Sequence, residues 1–261
     1  MVRDLFDSMP VLGTLFLTLL IVLLSIEVGF RVGLYHNRRR GTEREAPLSA
    51  MTGAHLALLA FIMAFSFNMA AGHYDARKAL VLQEANTLGT AYLRAGLVPD
   101  PTRGEIRRLL REYTAVRASV NDPGKSVSEV IDRSEDLQME IWREVQQLAS
   151  GGTAGELEGL LVTSINELID LHSERVAAVL RKRIPPTIWA VVSILLVASM
   201  VGMGYFSSMN SKRNPVATTG IAISFSVVMF LIADLDRPAE GLLRVDQSAI
   251  IELDERLRGA G

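Results

Sequence analysis

Four long apolar stretches constrain this chain more than any other feature. They fall within residues 1–35, 51–73, 185–209 and 215–233. A helix needs about 20 mostly apolar residues to cross a hydrocarbon core about 30 Å thick, and each stretch comes near that length. A water-soluble domain would scatter its 49% hydrophobic residues with helical or strand periodicity instead of concentrating them in blocks. We therefore predict an all-α membrane protein with four transmembrane helices and the lipid bilayer as its first partner.

The middle of the chain, residues 74–184, is polar, and its apolar positions are spaced three and four residues apart as in packed helices. No proline interrupts the chain from Leu48 to Val98, and Pro99 and Pro101 follow. Proline interrupts a helix, so a run without proline can form a single one. The second transmembrane helix should therefore continue out of the bilayer as one long helix and end before Pro99. With the helices after it, it forms a predicted extramembrane antiparallel helical bundle. The remaining segments are two basic loops and a C-terminal tail with a short helix, at residues 36–50, 210–214 and 234–261.

Capping boxes predict where the bundle helices begin. In this motif a Ser or Thr side chain and a Glu three residues later each bond the backbone N–H of the other. The sequence offers Thr102 with Glu105, Ser126 with Glu129, and Thr153 with Glu156. The apolar stripe of the last bundle helix is predicted to contain Leu157, Leu160, Leu161, Leu168 and Leu171.

Composition and motifs exclude several classes of protein. The sequence has no Cys, so it cannot form a disulfide, a thiolate metal site or a Cys nucleophile. A net charge of -2 argues against a nucleic-acid partner. The glycine-rich nucleotide motifs, the zinc-protease motif and the esterase motif are all missing from the sequence. We therefore predict no enzymatic activity, no cofactor and no bound metal.

Short basic loops favour one orientation in the membrane. Positive charge marks cytoplasmic loops, and it is carried by Arg38, Arg39, Arg40 and Arg44 in the first loop and by Lys212 and Arg213 in the second. Basic residues flanking the bundle, such as Arg77 and Arg181, argue the other way. We expect a bacterial inner-membrane protein with both termini and the bundle on the non-cytoplasmic side.

One face of the second apolar stretch is a candidate pore lining. Phe61, Phe65, Met69 and His73 recur at every fourth residue, beside Asn68. Large apolar side chains repeated around a symmetry axis can form a dewetting constriction, whereas in a single chain the same stripe packs against a neighbouring helix. Asn68 is costly in lipid and should face protein or water.

Charged residues cluster where the second and fourth stretches end, which four crossings place on one side of the membrane. They could concentrate cations at a pore mouth or pair with one another as a structural interface, and they lack an established metal-ligand spacing. The cluster consists of His73, Asp75, Arg77, Arg183, Asp234, Asp236 and Arg237.

Two weaker patterns complete the candidates. Glu84 and Asn86 lie further along the long helix, where they could line a vestibule or belong to a solvated face. Pairs of small residues four apart permit close approach of helices in a membrane. They are Gly29 with Gly33, Ala198 with Gly202, Gly204 with Ser208, and Gly220 with Ser224.

The residues around these positions resemble a known family. The resemblance is carried by residues 64–71 (AFSFNMAA), 73–77 (HYDAR), 84–86 (EAN), 89–94 (GTAYLR), 183–186 (RIPP) and 234–238 (DLDRP). They are similar to a bestrophin-like family of bacterial membrane proteins whose function is not established, and the match covers residues 51–246.

This resemblance implies a channel by analogy of fold. Bestrophins are pentameric anion channels with an apolar neck on their second transmembrane helix, and Phe61, Phe65 and Met69 are the similar positions in this sequence. No counterpart of the acidic calcium clasp of bestrophins is found, so calcium gating is not implied.

Two functions therefore remain open. The chain could form a homo-oligomeric ion channel with an inorganic ion as its partner and the second transmembrane helix around the pore. Alternatively, it could be a non-conducting, membrane-anchored scaffold or sensor that acts through its helical bundle.

Overall fold

The computed structural model describes residues 10–40, 45–122, 124–150, 155–209, 215–237 and 241–259. Within these ranges the chain is almost entirely α-helical and contains no strand. Several residues of the sequence predictions lie outside them: Arg44, Lys212 and Arg213 of the basic loops, Thr153 of a predicted cap, and Pro238 of the last motif.

Eight α-helices account for most of the described residues. They are α1 (Val11–Arg40), α2 (Glu45–Ala95), α3 (Thr102–Ala118), α4 (Val127–Ser150), α5 (Glu156–Leu180), α6 (Pro186–Met209), α7 (Pro215–Asp236) and α8 (Ser248–Gly259). A short 3-10 helix, Ser119–Asn121, follows α3. Four of the helices are long and apolar enough to cross a membrane, namely α1, α2, α6 and α7. The all-α membrane fold is confirmed, including the long second helix that ends just before Pro99.

The chain divides into two compact units. The first consists of Met1–Tyr74 and Arg183–Arg244, and the second of Asp75–Lys182 and Val245–Gly261. The first unit, here called the membrane unit, contains α1, the first part of α2, α6 and α7. The second, here called the helical unit, contains the rest of α2 together with α3, α4, α5 and α8.

Close backbone contact joins α1 and α6 in the membrane unit. A Cβ atom added to Gly29 of α1 would collide with the backbone carbonyl of Val201, and one added to Gly204 of α6 would collide with that of Ile26. The predicted close approach is therefore confirmed at these two glycines. It does not hold at Gly202 or Gly220, where an added Cβ would meet open space.

The helical unit has an apolar core to which all its described helices except the 3-10 turn contribute. Leu88 of α2, Ile106 of α3, Leu137 of α4 and Leu161 of α5 are fully buried in it. Leu257 of α8 joins the same cluster, so the helix of the predicted C-terminal tail packs within this unit.

One predicted capping box is confirmed and one is wrong. At the start of α4, the Ser126 N–H donates to Glu129 Oε2 at 3.0 Å and the Glu129 N–H donates to Ser126 Oγ at 3.1 Å. At the start of α3 the cap is Pro101, in a helical conformation with φ -85°, and it makes no side-chain hydrogen bond. Glu105 binds Arg108 instead.

The start of α5 also differs from its prediction. The helix begins at Glu156, and the Gly155 N–H donates to Glu158 Oε2 at 3.3 Å, so Glu158 takes the role expected of Glu156. Leu157 and Leu160 are 51% and 43% exposed and are not part of the buried stripe. The buried positions of this helix begin at Leu161, which places Leu160 about 100° away around the helix axis.

Candidate functional site

The membrane segment of α2 leaves one side uncovered. Phe61 and Phe65 are 67% and 56% exposed, and Asn68 on the same side is also exposed. The opposite side, with Leu59 and Met63, is buried in the core of the membrane unit. The candidate pore-lining face is therefore open in the single chain and does not pack inside it.

Met69 and His73 diverge from this face. Both are half-buried, and Met69 packs against the core of the membrane unit. Steps of four residues rotate by about 40° around an α-helix, so a stripe at that spacing winds away from its starting face. Phe61, Phe65 and Asn68 remain together, whereas Met69 and His73 turn towards the rest of the unit.

Asn68 differs from the other polar side chain nearby. Ser66 donates to the Ile62 carbonyl of its own helix at 2.8 Å, which satisfies its hydroxyl. Asn68 forms no hydrogen bond with any residue that the structure describes. An amide without a partner is costly in hydrocarbon, so Asn68 needs water or another chain beside it.

Asp234 and Asp236 at the end of α7 are only 1% exposed. Asp236 accepts the Ile184 N–H at 2.8 Å, and its Oδ2 lies 3.4 Å from Arg183 Nε. Asp234 accepts the N–H groups of Leu242 and Leu243 at 2.6 Å and 3.0 Å. Asp236 thus fixes the segment that precedes α6, and Asp234 fixes the segment that follows α7. The contact of Asp236 with Arg183 is of the kind that the ion-paired interpretation expects, and a role at a pore mouth stays a prediction.

The rest of the predicted boundary cluster is divided between the two units. His73 and buried Arg237 belong to the membrane unit, whereas Asp75 is exposed and Arg77 is buried in the helical unit. Among the described residues no group of three His, Asp or Glu side chains could hold a metal ion.

Glu84 lies at the centre of a buried polar cluster in the helical unit. Its side chain is fully buried, so the prediction that it lines an open vestibule is wrong. Arg117 donates to it through Nε at 2.9 Å, and Arg175 forms a second ion pair with it. Asn86, two residues away, is exposed, and its vestibule role stays a prediction.

Tyr113 connects Glu84 with His172. Its hydroxyl donates to Glu84 Oε1 at 3.1 Å and also lies 3.1 Å from His172 Nδ1. Gln138 Nε2 donates to the same hydroxyl at 3.2 Å. A hydroxyl has one hydrogen to give, so His172 must be the donor at Nδ1, which assigns its neutral tautomer.

Burial shifts the pKa of each of these groups towards its neutral form. It lowers the pKa of His172 to about 4, with the positive charge of Arg117 as a second cause. Burial also lowers the pKa of Arg175 to about 10 and raises that of Tyr113 above its ordinary value. The cluster at neutral pH therefore contains a neutral imidazole beside charged guanidinium groups.

A model of the bestrophin-like domain matches residues 14–250. The chain belongs to the bestrophin-like family. Its fold is shared with a mutant of a bacterial bestrophin homologue from Klebsiella pneumoniae, at TM-score 0.60 and 15% identity over 95% of this chain and 98% of that one. Another mutant of a Klebsiella pneumoniae homologue gives TM-score 0.56 and 14% identity over 95% and 98% of the two chains. A comparison with curated proteins gives no match.

Sequence reasoning about this bestrophin-like chain named Glu84 but missed the two arginines of the buried cluster. Arg117 continues the spacing of Ile106, Leu110 and Tyr113 on α3, and Arg175 continues the buried stripe of α5. An arginine at the helical spacing of an apolar stripe was the available signal. Such an arginine is predicted to be buried, and a charge is seldom buried without a partner. The identity of that partner, Glu84, depends on contacts between distant segments.

Proposed function

We propose that this bestrophin-like chain assembles into a homo-oligomeric ion channel in which the exposed face of α2 surrounds the pore. The single observation that carries this proposal is the exposed, unpartnered Asn68 beside Phe61 and Phe65. Lipid can cover phenylalanine at little cost, but it offers nothing to an amide. In an oligomer with a water-filled pore along its symmetry axis, Asn68 is hydrated. The exposed face of α2 then lies opposite the same face of the other copies.

The burial of the four apolar helices supports the same choice. We compared how much of the most apolar 18-residue stretch of each helix is buried within the chain. The buried share is 17% for α2, against 33% for α1, 39% for α6 and 28% for α7. The helix with the least cover in one chain is the one most in need of neighbours from other copies. In such an assembly Phe61 and Phe65 form an apolar constriction, which can close by dewetting.

Membership of the bestrophin-like family is consistent with this proposal through the channel function of bestrophins. The proposed location is the bacterial inner membrane, with the helical unit and both termini on the non-cytoplasmic side. If the chain is monomeric and conducts no ions, the alternative is a membrane-anchored scaffold or sensor. Neither the channel nor the scaffold involves enzymatic activity.

Two measurements test the channel. The mass of the detergent-solubilised complex should correspond to several copies of the 28.6 kDa chain. Ion flux into liposomes should increase on Phe65→Ala, because a smaller side chain widens the constriction. Phe67→Ala is the matched control, since Phe67 lies two residues away on a different side of α2, and it should leave the flux unchanged. A monomeric mass, or equal effects of the two substitutions, would contradict the proposal.

A further inference from the structure

The buried polar cluster of the helical unit contains more positive than negative charge. Arg117 and Arg175 are 4% and 7% exposed, and both bind the one carboxylate of Glu84, which is 0% exposed. His172 is neutral at physiological pH, because its pKa is lowered to about 4. Glu135 approaches His172 Nε2 at 4.0 Å, but its side chain is 61% exposed, and it makes no ion pair with either arginine. One buried positive charge is therefore left without a counter-charge among the described residues.

The hydrogen-bond donors show the same surplus. A guanidinium group has five N–H donors. Within the described part of the chain, Arg117 donates to Glu84 only, through Nε at 2.9 Å and Nη2 at 3.5 Å. Arg175 donates to Gln247 Oε1 at 3.3 Å and pairs with Glu84. Several N–H groups of the two arginines have no protein acceptor.

A small cavity lies where these donors are found. It is lined by Arg117, Arg175, Val120, Val127, Ile131 and Val176. The volume that the centre of a water molecule can occupy in this cavity is about 40 Å³. A single water needs about 10–15 Å³ by this measure, so the cavity has room for one small anion or for a few waters. Its walls offer cationic donors and methyl groups but no carboxylate.

We propose that this cavity binds one small monovalent inorganic anion, of the size of chloride or bromide, which neutralises the excess charge of Arg117 and Arg175. A halide suits a site with two guanidinium groups and apolar walls, because it gives up its water at a lower cost than a small, strongly hydrated anion does and a guanidinium is itself weakly hydrated. The site is lined by residues of the helical unit alone and does not depend on the chain being a channel.

Halide-dependent stability tests the site. The chain has two Trp residues. In a Trp189→Phe background, the fluorescence of Trp142 in α4 reports the unfolding of the helical unit alone. We expect the Tm of the full chain in detergent to rise by about 3–5 °C for each tenfold increase in bromide above its Kd. Gluconate at equal ionic strength is too large for the cavity and should give no such rise.

Charge-neutralising variants decide whether the arginines are responsible. In Arg117→Gln, Glu84 and Arg175 remain as a balanced pair, so the Tm should become independent of bromide. Arg175→Gln leaves Glu84 paired with Arg117 and should give the same result, so either variant suffices if the other fails to fold. Arg103→Gln is the matched control, because half-buried Arg103 lies on the same helix as Arg117 but pairs with Asp100 and does not line the cavity. The bromide response should persist in this variant. A response to gluconate equal to that of bromide, or a full bromide response in Arg117→Gln, would overturn the proposal.

Discussion

Asp236 makes a backbone hydrogen bond and an ion pair, and different substitutions can remove one without the other. It accepts a backbone N–H from Ile184 and pairs with Arg183, while being 1% exposed. Losing one partner of a buried ion pair costs more than losing both, because the remaining charge stays buried and uncompensated. The residue is therefore a sensitive point of the membrane unit.

Asp236→Asn should destabilise the membrane unit by about 3 kcal/mol, because an amide keeps the acceptor for Ile184 but removes the buried negative charge that faces Arg183. Arg183→Gln combined with it should restore part of the loss. Asp75→Asn, at an exposed carboxylate, is the control and should have little effect. The check is thermal unfolding in detergent, monitored by Trp189 fluorescence in a Trp142→Phe background. A double variant less stable than Asp236→Asn would contradict the pairing.

His172 should make the helical unit sensitive to acid. Its pKa is lowered to about 4 in the folded chain, below the ordinary value of 6.5, so the unfolded chain takes up the proton first as pH falls. The free energy of unfolding should fall between about pH 6.5 and pH 4, by up to about 3 kcal/mol, and this contribution is fully present above pH 6.5.

Substitution identifies the group responsible for that acid sensitivity. His172→Gln should flatten the dependence on pH in this window, whereas His55→Gln, at an exposed residue of the membrane unit, should keep it. Denaturant unfolding of the Trp189→Phe chain at several pH values gives the slope. An equal slope in both variants would show that other groups cause the effect.

At the scale of elements, the contact between α1 and α6 depends on two glycines that face the backbone of the opposite helix. Dispersion and close packing hold membrane helices together, since lipid is as apolar as the side chains. A methyl group at the point of closest approach therefore acts directly on the helix pair.

Gly204→Ala should push α6 away from Ile26 and destabilise the membrane unit by about 1–3 kcal/mol. Gly202→Ala places the same methyl group two residues earlier, in open space, and should be neutral. The ratio of folded to aggregated protein after mild heating in detergent compares the two. If both variants behave like the unchanged chain, the close contact is not important for stability.

Prediction from the sequence succeeded where local patterns determine an element. Continuous hydrophobicity identified the membrane helices, and the prolines after Ala95 identified the end of α2. It failed at Thr102, because the helical conformation of Pro101 moves the cap one residue earlier. It could not find the Glu84 cluster, whose members come from distant segments and whose pairing is a property of packing.

At the scale of the molecule, the charge of the short loops predicts which side of the membrane the helical unit occupies. The chain has no Cys, so single Cys substitutions can be labelled without background. A Cys in place of exposed Asp122 should react with an impermeant maleimide in intact cells, and one in place of Thr42 only after the membrane is breached. The reverse pattern of labelling would invert the orientation.

The core of the helical unit is built from segments that the ribosome makes far apart in time. Within the helical unit, residues 75–182 are synthesised first, and α6 and α7 follow before Val245, Gln247 and Leu257 are made. Until then Asn121 lacks the Val245 carbonyl, and Arg175 lacks the Gln247 side chain. A chain that stops before Val245 therefore has all its membrane helices but an incomplete helical unit, which quality-control proteases can recognise.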